Sequence, residues 1–160
     1  MFNQQRKSIQ RIIASSLLSG AITLLPQFAL AADGCDIVIE ATDAMTFSSK
    51  EIAVKKSCKA FNITLKHVGK LGKNIMGHNL VIAKEADQKA VLEDGSKAGT
   101  ANEYLKPNDT RVVAYTKLIG GGEQAATQLT LAKLDTKANY VFFCSFPGHA
   151  FMMKGVVKFI

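Results

Sequence analysis

The sequence predicts an all-β protein, a β-sandwich or barrel of about eight short strands with one short helical flap between strands. Short apolar runs alternate with turn signals along the chain after residue 31, a pattern that suits antiparallel strands. The run 61–66 alternates cleanly between apolar and polar side chains, as a strand with one buried face does. Helical periodicity is scarce.

The predicted strands are short runs that favour extended backbone and are bounded by turn residues. They lie near residues 36–40, 51–56, 60–68, 79–83, 111–116, 128–134, 140–145 and 155–160. Segment 85–105 is the exception, because it is rich in Ala, Lys, Glu and Gln and poor in β-branched residues. This composition predicts a short helix or an irregular flap inserted between two strands.

The first 31 residues have the pattern of a secretory signal peptide. A basic start precedes an apolar stretch over residues 12–25 and the small-residue sequence Ala29-Leu30-Ala31. The alternative is a membrane anchor, but a spanning helix needs ~20 predominantly apolar residues and polar residues and Pro26 interrupt this stretch. We therefore expect residues 1–31 to be removed on export, leaving one domain over residues 32–160 in the periplasm, with no membrane insertion after cleavage.

The charge of the chain indicates no particular macromolecular partner. Removing residues 1–31 takes away three positive charges and no negative one, which lowers the formal net charge from +7 to +4. The remaining charges are scattered, and no nucleic-acid-binding motif accompanies them. A solvated surface is therefore predicted, with no nucleic-acid partner.

Three cysteines are an odd number for a chain sent to an oxidising compartment. Of the three possible pairings, Cys35 with Cys58 is preferred, because both lie near the start of the mature domain and the bond would add ~3 kcal/mol of stability. Lipidation of Cys35 is an alternative, but the preceding residues lack the apolar position of a lipoprotein signal. Cys144 is left over, and it is either buried and inert or occupied by a ligand.

A thiol, an imidazole and a thioether fall within one loop between two predicted strands. Cys144 ends an apolar strand, a Pro-Gly turn would bring His149 back beside it, and Met153 follows four residues later. A soft transition metal accepts all three ligand types. The fourth ligand is expected from His78, at the entry to another strand. Two histidines, one cysteine and a distant methionine are the ligand set of blue copper.

The loop resembles the copper-binding loop of the azurins, a family of small cupredoxins in which Cys-x4-His-x3-Met follows an aromatic-rich strand. The resemblance covers most of residues 33–160. Its Cys-to-His spacing favours the azurins over plastocyanin-like and amicyanin-like proteins, in which the spacing is shorter. The other matching segments are Lys56-Ser57-Cys58, Lys73-Asn74-Ile75-Met76-Gly77-His78-Asn79, Tyr104-Leu105-Lys106-Pro107, Thr116-Lys117-Leu118-Ile119-Gly120 and Phe142-Phe143-Cys144.

This resemblance implies a β-sandwich of Greek-key connectivity with a disulfide between Cys35 and Cys58. It also implies one copper ion that alternates between Cu(I) and Cu(II). The implied ligands are His78, Cys144 and His149 in a trigonal plane, Met153 on one axial side and the carbonyl oxygen of Gly77 on the other.

The surroundings of the site follow from the same resemblance. The backbone amides of Asn79 and Phe146 would point at the Cys144 sulfur and tune the copper potential. The edge of His149 would be the exit for the electron, and His67 is expected to be a structural histidine nearby. An apolar patch for redox partners, such as c-type cytochromes or copper reductases, would surround the exit and comprise Met45, Leu71, Met76, Phe146, Phe151 and Met152.

The implied function is one-electron transfer rather than catalysis, because this ligand set leaves no coordination position for a substrate. One alternative is an exported copper chaperone or store, which would need an exposed and exchangeable site. Another is an enzyme with Cys144 as nucleophile and His149 as base. The loop holds no acidic residue that could orient such a base.

Overall fold

The computed structural model describes residues 34–160, and the predicted signal peptide over residues 1–31 lies outside this part of the chain. The described helices are α1 (Lys73–Met76) and α2 (Gln88–Ala98), with 3-10 turns at Glu85–Asp87, Thr100–Asn102, Leu131–Lys133 and His149–Phe151. The described strands are β1 (Asp36–Ala41), β2 (Glu51–Val54), β3 (Ala60–His67), β4 (Val81–Lys84), β5 (Val112–Tyr115), β6 (Gln124–Thr130), β7 (Tyr140–Phe143) and β8 (Lys154–Phe159).

The strands form two sheets, one in the order β1-β3-β6 and one in the order β2-β8-β7-β4-β5. Most neighbours are antiparallel, but β1 pairs with β3 and β2 pairs with β8 in parallel. The parallel pairs arise because the chain crosses between the sheets, so β1 and β3 share a sheet while β2 lies in the other. The predicted all-β, Greek-key sandwich with a short helix is confirmed.

The sequence pattern of each strand matches its place in the sandwich. In β3, Phe61, Ile63 and Leu65 are buried while Asn62 and Lys66 are exposed. Strand β7 is buried along its whole length, since it lies between β4 and β8. Alternate residues of β7 join two apolar clusters, one between the sheets and one under α2 and the following segment. This double burial explains the uninterrupted apolar run that precedes Cys144.

The predicted flap contains α2, which packs over the outer face of the five-stranded sheet. Val91 of α2 is buried in one cluster with Phe143. The helix ends at Gly99, whose φ of 72° suits a residue without a Cβ. An ion pair of 2.7 Å between Arg111 and Asp94 ties the helix to the entry of β5. Among the described residues, no helix has the length and apolar character needed to cross a membrane.

The prediction misplaced one strand and missed one short helix. Strand β6 begins at Gln124 and ends at Thr130, several residues before the predicted 128–134, and Leu131–Lys133 forms a 3-10 turn. The segment after Gln124 is rich in Ala and Gln, which are poor strand formers, but pairing with β3 stabilises it. Helix α1 was not predicted, because it has only four residues and no side-chain cap.

A disulfide joins Cys35 to Cys58, as the sequence favoured. Cys35 lies just before β1 and Cys58 just before β3, so the bond links the starts of two neighbouring parallel strands. Cys144 is the free cysteine of the described part of the chain, and it is buried.

Candidate metal centre

Strand pairing brings the predicted ligand segments together. Strands β4 and β7 are antiparallel neighbours, and Val81 pairs with Phe143. The residues just before Val81 therefore lie beside those just after Phe143. This register places His78 next to Cys144, although they are 66 positions apart. His149 returns to the same point through the turn at Gly148, whose φ is 82°.

The three donor atoms have the spacing of a mononuclear metal site. The Sγ of Cys144 lies 4.0 Å from Nδ1 of His78 and 3.7 Å from Nδ1 of His149. Metal–nitrogen bonds of ~2.0 Å and metal–sulfur bonds of ~2.3 Å at 120° would place nitrogen and sulfur about 3.7 Å apart. All three residues are buried and their donor atoms lie within 4.8 Å of one another. The residues present therefore fit a bound copper ion.

A backbone contact selects the nitrogen of His78 that faces this centre. The Nε2 of His78 lies 3.0 Å from the carbonyl oxygen of Thr42. A carbonyl oxygen only accepts hydrogen bonds, so Nε2 carries the proton and Nδ1 of the neutral ring keeps its lone pair. Thr42 had not been identified from the sequence, because it acts through its backbone carbonyl oxygen and no side-chain pattern marks this role.

Two further groups were predicted to contact the metal, the carbonyl oxygen of Gly77 and the thioether of Met153. The carbonyl oxygen of Gly77 is 3.9 Å from Sγ of Cys144. A Cβ on Gly77 would lie 2.4 Å from the carbonyl oxygen of Lys73, so only glycine permits this close packing. Met153 is fully buried in the same cluster as Cys144, and its carbonyl oxygen accepts a 3.0 Å hydrogen bond from the Cys144 backbone amide.

The protonation states in this pocket follow from its burial. Burial raises the pKa of the Cys144 thiol to about 11, although hydrogen bonds from the backbone amides of Asn79 and Phe146 oppose the shift. Burial, helped by the charge of nearby His67, lowers the pKa of His78 from 6.5 to about 4. Burial also lowers the pKa of His149. At neutral pH both imidazoles are thus free to bind a metal, while the thiol must lose a proton.

The Asn79 side chain connects the two ligand segments. Its Oδ1 accepts a 2.8 Å hydrogen bond from the backbone amide of Ser145, and its Nδ2 donates to Ser145 Oγ at 2.8 Å. Nδ2 also lies 3.0 Å from the carbonyl oxygen of Glu103. Asn79 is fully buried, so these bonds fix Ser145, the residue after Cys144. The sequence had indicated only the backbone amide of Asn79, because these partners lie far along the chain.

His67 lies against the site without joining the donor set. Its ring centroid is 4.5 Å from that of His78, and its Nε2 is 3.1 Å from Oδ1 of Asp43. Asp43 also accepts hydrogen bonds from the backbone amides of Lys70 and Leu71. His67 therefore helps to anchor the loop between β3 and α1.

The predicted patch residues differ in exposure. Phe151 and Met152 are exposed just after His149, and Leu71 is exposed before α1. Met45, Met76 and Phe146 are only half-buried. The Phe146 ring packs on His149, with centroids 4.5 Å apart. Ile75, which was not predicted, is among the most exposed apolar residues of the described chain.

Two imidazoles and a buried thiol converge here, and they are the soft and intermediate ligands that suit copper. On a Greek-key β-sandwich this set defines the class of blue-copper electron-transfer proteins. The family described as copper binding proteins, plastocyanin/azurin family, matches residues 34–159. The chain belongs to this family, and within it to the azurins. It is a copper-binding electron carrier that acts with redox partner proteins, and not an enzyme.

Individual relatives are similar over nearly their whole length. Azurin-2 of Alcaligenes xylosoxydans xylosoxydans is 53% identical over 124 residues, which cover 78% of this chain and 96% of that protein. Azurin of Bordetella pertussis is 50% identical over 144 residues, which cover 88% of this chain and 95% of that protein. The solved structure of the azurin Az-iso2 from Methylomonas sp. strain J is 40% identical, with a TM-score of 0.76, and covers 79% of this chain and 98% of that one.

Proposed function

We propose that residues 32–160 form a periplasmic one-electron carrier whose copper ion would be held by His78, Cys144 and His149. Met153 and the carbonyl oxygen of Gly77 would be two further, weaker ligands. The observation that carries this proposal is the convergence of two imidazole nitrogens on one buried sulfur, at 3.7 and 4.0 Å. When bound, copper supplies a one-electron couple between Cu(I) and Cu(II).

The protein holds this donor set rigid. Cys144 follows a fully buried strand, Thr42 fixes the ring of His78, and Asn79 fixes the backbone after Cys144. Ligands that cannot move keep nearly the same geometry in both oxidation states, so little rearranges when an electron passes. Burial also keeps water away from the donors. The arrangement therefore favours fast electron transfer over ligand exchange.

The alternatives receive less support from the same geometry. A cysteine hydrolase needs a thiolate, but burial raises the pKa of Cys144 to about 11. A copper chaperone needs donors that a partner can reach, but all three donor residues are buried. The ring of His149 is the part of the site nearest the exposed turn at Phe151 and Met152. We assign the exit of the electron to this ring and its surrounding patch.

The location and partners rest on the export signal and the site. Residues 1–31 read as a signal peptide, and a disulfide between Cys35 and Cys58 suits an oxidising compartment. A periplasmic carrier of this kind would exchange electrons with c-type cytochromes or copper reductases. Mass spectrometry of the protein from a periplasmic extract tests the location: a mature N-terminus at Ala32 supports export, whereas an intact Met1 in the cytoplasm contradicts it.

Protein-film voltammetry of the copper-loaded mature chain tests the carrier function. We expect one reversible one-electron wave whose area corresponds to one copper per protein. The variant Cys144→Ser, which keeps the volume of the side chain but replaces the sulfur, should lose or strongly shift this wave. Irreversible loss of copper after the first reduction would contradict the proposal and favour a copper store.

A further inference from the structure

The copper end of the molecule exposes large apolar side chains on both segments that bring the histidines together. Before His78, Leu71 is 40% and Ile75 is 68% exposed. After His149, Phe151 is 86% and Met152 is 47% exposed. The two segments meet where the rings of His78 and His149 lie 5.1 Å apart. We call these four residues the apolar face.

Lysines border the apolar face. Lys70 and Lys73 flank Leu71 in sequence, and Lys154 follows Met153. Lys50 reaches the same loop, where its Nζ donates a 2.7 Å hydrogen bond to the carbonyl oxygen of Met152. All four lysines are exposed. The border of the face is therefore cationic on both sides of the electron's exit.

No salt bridge neutralises the lysines of this border. Among residues 34–160, none of Lys50, Lys70, Lys73 and Lys154 forms a salt bridge. Asp43 lies close by, and the hydrogen bond from the Lys70 backbone amide lowers its pKa, so this carboxylate is ionised and offsets one positive charge. The other lysine charges remain available to a partner.

A groove extends the apolar face towards α2. It has a volume of about 500 Å³ and lies between α2 and the ligand loop. Leu92, Phe146 and Phe151 supply apolar lining, and Lys89, Glu93 and Lys154 supply charged lining. Lys89 is near Glu93, but at 3.9 Å between highly exposed groups this ion pair is weak. The lining thus combines apolar side chains with two positive charges and one negative charge.

We propose that the redox partner of this protein docks through an acidic surface, with carboxylates around an apolar centre that covers the apolar face and enters the groove. The proposal rests on the carrier function proposed above, because it assigns the partner class to that site. Apolar contact over His149 would bring the redox centres close, while the lysines orient the encounter. Charges at the rim of an interface act mainly on the association rate, and they do so most strongly at low salt.

Charge reversal at this border tests the proposal. The probe is the second-order rate of electron exchange between the reduced, copper-loaded mature chain and two c-type cytochromes, one acidic and one basic around the haem edge. Rates are measured by stopped flow at low and high ionic strength. The test variant is Lys70→Glu combined with Lys154→Glu.

Lys59→Glu combined with Lys133→Glu is the matched control. Lys59 precedes β3, whereas His67 at the far end of β3 contacts His78. Eight residues of strand span roughly 25 Å, and Lys133 lies near Lys59 because the Leu131 amide bonds the Lys59 carbonyl. Both controls are thus more than two Debye lengths (~8 Å each) from the site at physiological salt.

We expect the acidic cytochrome to react at least tenfold faster than the basic one at low salt, and this advantage to shrink as salt rises. The exchange rate of the test variant should fall about tenfold with the acidic cytochrome and rise with the basic one. The exchange rates of the control variant should change less than twofold. Equal effects of the two variants, or a faster reaction with the basic cytochrome, would overturn the proposal. Hexacyanoferrate(III), with a mild reductant between cycles, separates the two failures. A copper-loaded chain that cannot be oxidised by hexacyanoferrate(III), reduced again and re-oxidised is no electron carrier.

Discussion

The Nε2 of His78 lies 3.0 Å from the carbonyl oxygen of Thr42, and this contact directs Nδ1 of the same ring to the buried sulfur of Cys144. The site is thus prepared for a metal on its imidazole side before any metal binds. The thiol is not prepared in this way, because burial raises the pKa of Cys144 to about 11 and the thiol keeps its proton at neutral pH. This difference makes metal binding dependent on pH.

Copper binding should release one proton per ion at neutral pH. The histidines are neutral there, so the released proton comes from the Cys144 thiol. Isothermal titration calorimetry with Cu(I), in buffers of different ionisation enthalpy, measures this number. As the pH falls towards 4 and below, the count should rise above one, because protonated His78 and His149 must then lose protons as well. A count near zero at pH 7 would mean that the thiolate exists before the metal arrives.

The copper-free protein should lose stability as the pH falls from 6.5 to 4. The folded pKa of His78 lies below its unfolded value of 6.5, so the unfolded chain takes up the proton first and stability rises with pH in this range. A pKa shift from 6.5 to about 4 corresponds to a loss of about 3 kcal/mol in the free energy of unfolding. Urea unfolding of the copper-free mature chain at several pH values measures this loss, with His78→Gln as control. If the variant shows the same pH dependence, His78 is not the group responsible.

Replacement of Met153 by Gln should keep copper bound and lower the reduction potential. A soft thioether favours Cu(I), whereas an amide oxygen does not. We expect a tenfold or larger change in the relative affinity for the two oxidation states, about 59 mV for one electron. Met152→Gln is the control, because Met152 is exposed and should leave the potential nearly unchanged. An unchanged potential in the Met153 variant would remove Met153 from the ligand set.

Loss of the disulfide should weaken the fold but leave the metal site intact. Cys35 and Cys58 are 23 positions apart, and closing a loop of this size contributes about 3 kcal/mol. The double variant Cys35→Ala, Cys58→Ala should unfold at a lower urea concentration, with a free energy of unfolding that is smaller by about 3 kcal/mol. It should keep the visible spectrum. With a reducing agent present the two copper-free proteins should differ much less. A changed spectrum would show that the bond also shapes the site.

Much of the fold was predictable because burial leaves a regular pattern in the strands. The alternation in Phe61-Asn62-Ile63-Thr64-Leu65-Lys66 indicated β3, and the apolar run before Cys144 indicated β7. Strand β6 was misplaced, because its Ala and Gln residues carry little strand preference and only pairing with β3 defines their register. Residue preferences within a short segment do not indicate stabilisation by a strand that is distant in the sequence.

The donor residues were predictable from their chemical types and from the resemblance, but their support was not. Thr42 acts through its carbonyl oxygen and Glu103 through another, and backbone groups carry no sequence signal. Ser145 meets Asn79 only because β4 and β7 pair. The exposure of Ile75 depends on the path of the loop around α1, which the sequence did not indicate.

The visible absorption spectrum of the Cu(II)-loaded mature chain, before and after mild reduction, tests the bond between copper and Cys144 most directly. We predict an intense blue band that bleaches on reduction, returns on oxidation and is absent from Cys144→Ser. A colourless or merely pale protein would contradict the account, because it would mean that the Cys144 thiolate does not bind copper.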